Sequence, residues 1–514
     1  MLRRSAALVA AGIFLSRILG LVRQRAFAHF LGNTAVADAF TAAFRIPNLL
    51  QNLFGEGALS ASFIPVYAKL LAEEDHREAD RVAGAVGALL GLAVATIVIL
   101  GVLASPVLVT LIAPGFGGGK RELTIHLVRI LFPGAGLLVL SAWCLGVLNS
   151  HRRFFLSYAA PVVWNLSMIG ALIYFGPRRE MAELAVVAAW ASVVGSLLQV
   201  AVQWPTVRRV APAIRFRLET TARHVGTVLR NFVPAFVGRG VVQVSAFIDS
   251  LLATLLPTGA VAAIGYAQTL YLLPVSLFGM AISAAELPAM SGARGTDAEI
   301  GAFLRTRLQG GLRHVAFLVV PSAMAFLALG HVLVSALYQT GEFGRRDSLY
   351  VWGILAGSAV GLLASTMGRL YASAFYALHD TRTPLRFAVI RVALTGALGW
   401  FAALHLPGLL VIGPEWGAAG LTASAGVAGW LEFVLLRRSL GARIGSSSLP
   451  PGLLPRLWCS AALAAALGWL LLSAIPAWHP VPTAAAVLSL YGTAYFLATR
   501  LLGVQEARTL LGRR

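Results

Sequence analysis

Charge is scarce in this sequence. Only 12% of its 514 residues are Asp, Glu, Lys or Arg, against ~25% in an ordinary soluble domain. Apolar residues make up 58% and mean hydropathy is +0.79. A soluble multidomain enzyme is excluded, and so is a disordered chain. Cysteine is nearly absent: Cys144 and Cys459 both sit in apolar runs. That excludes a disulfide scaffold and reads as two small core residues. Lysine is confined to Lys69 and Lys120. The motifs of common enzymes are missing too: no His-Glu-x-x-His, no phosphate-binding loop, no Gly-x-Ser-x-Gly, no Cys-x-x-Cys, and ten scattered His. No cofactor, metal or catalytic constellation is expected, and ATP is no direct drive.

Long apolar runs fill the space that charge leaves. A membrane-spanning helix needs ~20 apolar residues. Fourteen stretches qualify, over 6–30, 35–67, 83–112, 123–149, 155–176, 183–206, 224–256, 260–289, 311–337, 347–378, 385–406, 416–436, 456–475 and 482–503. Runs such as Val86 to Leu103 are continuously apolar, whereas the strands of a membrane barrel alternate. The expected fold is an all-α polytopic membrane protein with about 14 transmembrane helices. Arg17, Arg23 and Arg25 interrupt the approach to the small-residue site Ala26-Phe27-Ala28. The first helix therefore reads as retained rather than as a cleaved signal.

The formal net charge of +20 could mean nucleic acid, so its placement matters. With the N-terminus in the cytoplasm, 25 of the 41 Lys and Arg fall on cytoplasmic ends and loops, six on the opposite side and ten inside the spans. That is the positive-inside pattern. It predicts cytoplasmic termini and leaves no need for nucleic acid.

The chain also repeats itself. Leu111 to Phe116, after the third span, resembles Leu337 to Phe343, about 227 residues on. Asn149-Ser-His-Arg-Arg-Phe154 and Leu378-His-Asp-Thr-Arg-Thr-Pro384 correspond at a similar offset. The predicted domains are an N-lobe over 1–217, a C-lobe over 218–445, and two additional helices over 446–514. Two parallel six-helix halves form a transporter architecture.

Charges inside the spans mark where chemistry belongs. Gly12, Ser16, Gly20 and Arg23 share one helix face, where small residues admit a neighbouring backbone. A charged side chain at the centre of a lipid-facing helix costs ~2.5–3.5 kcal/mol. Arg17 and Arg23 therefore point to a wet, protein-lined cavity, while Arg25 can snorkel to the interface. Arg45 follows Asp38 by seven residues, so both lie on one side of their helix two turns apart; Asp38 reads as an ion-pair or cavity residue and Arg45 as substrate-facing. Glu56, between Gly55 and Gly57, is a hinge residue or a salt-bridge partner. Arg239 and Asp249 on the seventh span can face the same cavity. Glu286 pairs with Arg239 or Arg17, or carries a proton. Guanidinium engages phosphate bidentately and stays charged, so the cavity is expected to bind an anion. A drug-cation exporter would need an acidic or aromatic cavity.

Ser16-Arg17-x-x-Gly20-x-x-Arg23, Asp38-Ala-Phe, Pro47-Asn48-Leu-Leu, Glu56-Gly57-Ala58 and Phe63-Ile-Pro65 together resemble the MurJ (MviN) family of lipid II flippases. Ala113-Pro114-Gly115-Phe116 and Asp380-Thr381-x-Thr383-Pro384 look like two further signatures. The resemblance implies the fold of the multidrug/oligosaccharidyl-lipid/polysaccharide exporter superfamily: two six-helix lobes around a cavity, and two C-terminal helices forming a groove for the lipid tail. It implies movement of undecaprenyl-diphosphate-linked peptidoglycan precursor from inner to outer leaflet of the bacterial cytoplasmic membrane. Membrane lipids and cell-wall synthesis proteins are the implied partners. Of the family's basic set, Arg17, Arg23 and Arg45 carry over, and Arg239 is this chain's own candidate. Many members carry Arg where this chain has Gln51, and Asp-Arg where it has Gln268-Thr269. The rival readings are a flippase for another lipid-linked sugar, a cation-coupled drug exporter of the same superfamily, and a scaffold for cell-wall enzymes.

Overall fold

The computed structural model of the chain describes residues 2–219, 223–475 and 479–509. Within its helices, the side chains at 2–11, 13, 47, 55–57, 158, 223, 235, 237–246 and 509 lie outside the described residues. Apart from one isolated bridge between Thr340 and Phe343, the described residues form helices and connections. Helices satisfy every backbone group within one segment, as a lipid environment demands.

Two compact units divide the chain, Met1–Ala262 and Ala263–Arg514. The first contains α1 (Leu2–Leu31) and α2 (Ala35–Leu50), which continues through a π-helical segment (Gln51–Leu59) into α3 (Ser60–Ala72). It also contains α4 (His76–Leu103), α5 (Ser105–Ile112), α6 (Gly118–Ser150), α7 (Phe154–Phe175), α8 (Met181–Val210) and α9 (Arg223–Thr254). Helix α10 (Ala260–Pro274) begins at its end and runs on through a second π-helical segment (Val275–Met280) into α11 (Ala281–Ser291). The second unit continues with α12 (Asp297–Ala328), α13 (Gly330–Tyr338), α14 (Arg345–Ala359), α15 (Leu362–Ala377), α16 (Arg382–Leu404), the short α17 (Leu406–Leu409), α18 (Gly417–Ile444), α19 (Leu453–Ala474), α20 (Pro480–Leu501) and α21 (Gln505–Thr509).

Each of the apolar stretches expected from the sequence is helical over most of its described length. Among the described residues, ten helices are long and apolar enough to cross a membrane, and up to eleven if the bent pair α14 and α15 counts as one span. The other expected spans are α1, α9 and the α2–α3 stretch. Helix α2, at 16 residues, turns π-helical before reaching the ~20 residues of a span. Helices α1 and α9 carry much of the sequence whose side chains lie outside the description.

Some backbone features recur at the spacing of the loops matched in sequence. Gly32 and Gly259 both have positive φ (58° and 96°), as do Arg152 and His379 (59° and 58°). Each pair is 227 residues apart. Both π-helical segments follow the first part of a long helix, at Gln51 and Val275, a similar distance apart. Ala104, between α4 and α5, and Leu329, between α12 and α13, are equivalent breaks.

The core of the first unit lies among Phe63, Tyr67, Val82, Val86, Trp143 and Val147, and Val225 and Val228 of α9 join it. This contact puts α9 in the first compact unit, although the sequence repeat begins its second half there. Gly84 admits the loop after α8: a Cβ there would stand 2.2 Å from the Arg215 carbonyl oxygen. In the second unit, Gly353, Gly357 and Gly361 press on α18 and its approach. A Cβ at these positions would meet Trp416, the Ala419 carbonyl and Gly426 within 2.5 Å. The doubled Gly-x-x-x-Gly is a close helix crossing. Helix α20 is tied to α12 through backbone. Pro321 cannot donate to the Phe317 carbonyl one turn earlier, and the Tyr495 hydroxyl donates to that oxygen at 2.7 Å. Tyr491 donates to the Pro321 carbonyl at 2.7 Å.

Candidate functional site

Helices α1, α2 and α7 of the first unit place an arginine in an aromatic slot. The Arg23 guanidinium carbon lies 4.7 Å from the Trp164 ring centroid and 5.9 Å from that of Phe44. The two rings are themselves 5.7 Å apart. Trp164 is held by its indole N–H, which donates to the Ser192 carbonyl on α8 at 3.1 Å. Phe44 stacks on Phe40 at 5.8 Å, and Phe40 packs on Phe27 at 5.0 Å. The one hydrogen-bond partner of Arg23 among the described residues is the Met168 sulfur, at 4.0 Å, a weak acceptor. No carboxylate pairs with Arg23 among them.

Arg45 follows Phe44 on α2, about 100° further round the helix. One of its terminal nitrogens is buried and has no acceptor among the described residues. Asp249 on α9 acts on it electrostatically, and Asp38 does so more weakly. Arg45 and Asp249 are thus within electrostatic reach of each other. Arg17 is exposed, with no hydrogen-bond or ion-pair partner among the described residues, and Ser16 is half-buried. The face shared by Gly12, Ser16, Gly20 and Arg23 is not a close crossing at Gly20, where a Cβ would have open space.

Asp38 has other partners than the sequence suggests. It is 1% exposed. Lys120 Nζ stands 2.6 Å from its Oδ2, and the amides of Gly259 and Ala262 donate to it at 2.7 and 2.8 Å. The carboxylate therefore serves the first turn of α10, where helix amides are unpaired and the dipole favours an anion. The ion pair of Asp38 is made with Lys120, because the start of α2 faces the starts of α6 and α10. Lys120, to which the sequence alone assigned no role, also lies 4.1 Å from the Phe116 ring centroid. Its isolation after three glycines was the available signal.

Glu286 has a partner that the sequence reading did not name. Its carboxylate pairs with Arg307 at 3.2 Å between α11 and α12. Glu56 and Arg239 fall among the side chains outside the described residues. Gln51 opens the first π-helical segment. Thr269 donates back to the Gly265 carbonyl at 3.0 Å and touches the buried Tyr338 hydroxyl, so that position is occupied with packing. No cluster of metal-ligating residues occurs among the described residues.

The second late signature is a helix cap. Asp380 accepts from the amides of Arg382 and Thr383 at 3.0 Å and from the Thr383 hydroxyl at 2.7 Å. Arg443 on α18 reaches it at 2.7 Å. The Thr383 hydroxyl and amide, helped by Arg443, hold this carboxyl down at about 2.

The sequence profile of the family described as "Lipid II flippase MurJ" matches residues 27–489. A probable lipid II flippase MurJ of Rhizobium tropici is 34% identical over 428 residues, covering 82% of this chain and 77% of the relative. The lipid II flippase MurJ of Burkholderia cenocepacia is 33% identical, covering 82% and 80%. Among solved structures, "Lipid II flippase MurJ, inward closed conformation" superposes with a TM-score of 0.80 at 21% identity over 98% of this chain and all of that one. An inward-facing multidrug resistance MATE family transporter of the MOP superfamily gives 0.69 at 18% identity, over 84% and 96%. These structural likenesses speak to the fold.

Proposed function

The chain belongs to the lipid II flippase MurJ family, and on that premise we propose how its own residues do the family's work. It is a multi-pass membrane transporter, not an enzyme, and translocates lipid II in peptidoglycan biosynthesis. The direction is from inner to outer leaflet of the bacterial cytoplasmic membrane, by alternating access. Fourteen spans with both termini in the cytoplasm fit the distribution of Lys and Arg. The offset shared by Gly32 with Gly259 and by Arg152 with His379 supports two pseudo-symmetric halves over 1–217 and 218–445. Helices α19 and α20 form the separate element that takes the prenyl tail.

Arg23 and Arg45 bind the diphosphate, with Arg17 and Arg239 contributing charge at entry and exit. The single observation that carries this is Arg23 itself: a cation held by aromatic rings, without a carboxylate among the described residues. Its in-plane N–H donors are left for an oxyanion. Asp249 balances Arg45, while Asp38, Glu286 and Glu56 serve packing and gating. Moving one charge through 100 mV is worth ~2.3 kcal/mol, so the membrane potential can assist the cycle. The fold is shared with MATE drug exporters, but an arginine slot repels the cations such exporters carry.

The test is complementation of cells depleted of their own lipid II flippase. Growth with accessible lipid II in the outer leaflet is expected. Growth failure at normal abundance, with transport of another lipid-linked sugar instead, overturns the substrate assignment.

A further inference from the structure

We propose that Trp164 is a positioning residue for the substrate: its ring, with Phe44 beside it, holds the Arg23 guanidinium from one side so that its N–H donors are presented to a diphosphate. This rests on the lipid-diphosphate reading above. The argument starts with what a free arginine would do. Its side chain has four rotatable bonds and loses up to ~2 kcal/mol of rotamer entropy when ordered. If that entropy is lost on binding, it is subtracted from affinity; if the protein orders the group beforehand, it is not. Trp164 at 4.7 Å and Phe44 at 5.9 Å supply that order through the attraction of cation to ring face.

The rings are fixed in turn. The indole N–H is tied to Ser192 on α8, and Gly195 leaves room for Trp164: a Cβ there would stand 3.0 Å from its Cδ1. Phe44 leans on Phe40. Three helices thus fix one guanidinium. A ring contact uses none of the in-plane N–H donors, and that donor edge is what engages two phosphate oxygens side by side. A buried carboxylate in the same place would hold Arg23 equally well but would occupy that edge. An aromatic contact orders the cation without neutralising it.

The test is a double-mutant cycle on the full-length protein in lipid nanodiscs. The probe is undecaprenyl diphosphate, read by direct binding, with inorganic pyrophosphate as competitor. The variants are W164F, W164M, R23K and the R23K pairs of each. W164M removes the ring and keeps much of the bulk; a cation–π contact worth ~0.5–2 kcal/mol predicts a 2- to 30-fold loss of affinity. W164F keeps a ring but loses the Ser192 tether, and should retain affinity to within about threefold. In the R23K background, where no planar fork remains to be aimed, W164M should cost less than twofold further. Thermal unfolding of each variant is recorded alongside. Equal losses from W164M in both backgrounds, or equal losses in W164F and W164M, overturn the positioning role and leave Trp164 as core packing. A wild-type protein that does not bind the probe overturns the lipid-diphosphate reading, and the role of Trp164 with it.

Discussion

Asp38 and Lys120 meet at 2.6 Å between the first turns of α2 and α6, and the same carboxylate receives two amides from the start of α10. One side chain therefore gathers three helix starts. Breaking a buried pair by removing one partner costs ~3–5 kcal/mol, but the two losses are unequal here. Asp38→Ala leaves two amides and an ammonium without an acceptor. Lys120→Met leaves a carboxylate that still has both amides, and Lys120 is 15% exposed. Asp38→Ala is expected to lower the thermal unfolding temperature clearly more than Lys120→Met. Equal shifts would show that the amides contribute little.

Arg17 has no partner among the described residues, and this separates function from folding. Arg17→Ala should leave abundance and thermal stability close to wild type while abolishing most flipping. Arg17→Lys keeps the charge but not the planar fork, and should retain part of the activity. Complementation at matched expression checks both. Full activity of Arg17→Ala would remove it from the substrate path.

Tyr495 and Pro321 make a second cycle. The Tyr495 hydroxyl covers the Phe317 carbonyl that Pro321 leaves open. Tyr495→Phe should cost ~1–3 kcal/mol, the cost of stranding a buried acceptor. Pro321→Ala restores the amide donor, so Tyr495→Phe should cost less in that background. Denaturation of all four proteins in one detergent measures the coupling. An unchanged cost would mean that the helix does not close its hydrogen bond even once the proline ring is gone.

Acid should act at Asp380. Its folded-state value, about 2, lies below the ordinary carboxylate range. Its contribution is therefore fully present above pH ~4, the unfolded value, and is lost as pH falls from there through 2. Asp380→Asn should lower stability at pH 6, and the gap from wild type should narrow as the pH approaches 2. Unfolding temperatures at pH 6, 4 and 3 test this; a constant gap would assign the effect to packing.

The sequence by itself determined the class of the molecule. Lipid allows only helices or closed barrels, so continuous apolar runs leave a single architecture. The repeat was read from matching loops, Leu111 to Phe116 with Leu337 to Phe343, because loops of one backbone conformation need similar residues. The concentration of Arg in the first helices was legible because charge in a span is costly and stands out. Partner choice was not. Asp38 and Arg45 share a helix face in sequence, yet Asp38 serves Lys120 and α10, contacts 82 to 224 residues away. The pairing of Glu286 with Arg307 was not read from the sequence either. Trp164 looked like any aromatic in an apolar helix until α1 and α2 brought Arg23 and Phe44 to it. Periodicity tells which residues share a face; which faces meet is decided by the packing of distant helices, and only the tertiary structure records that.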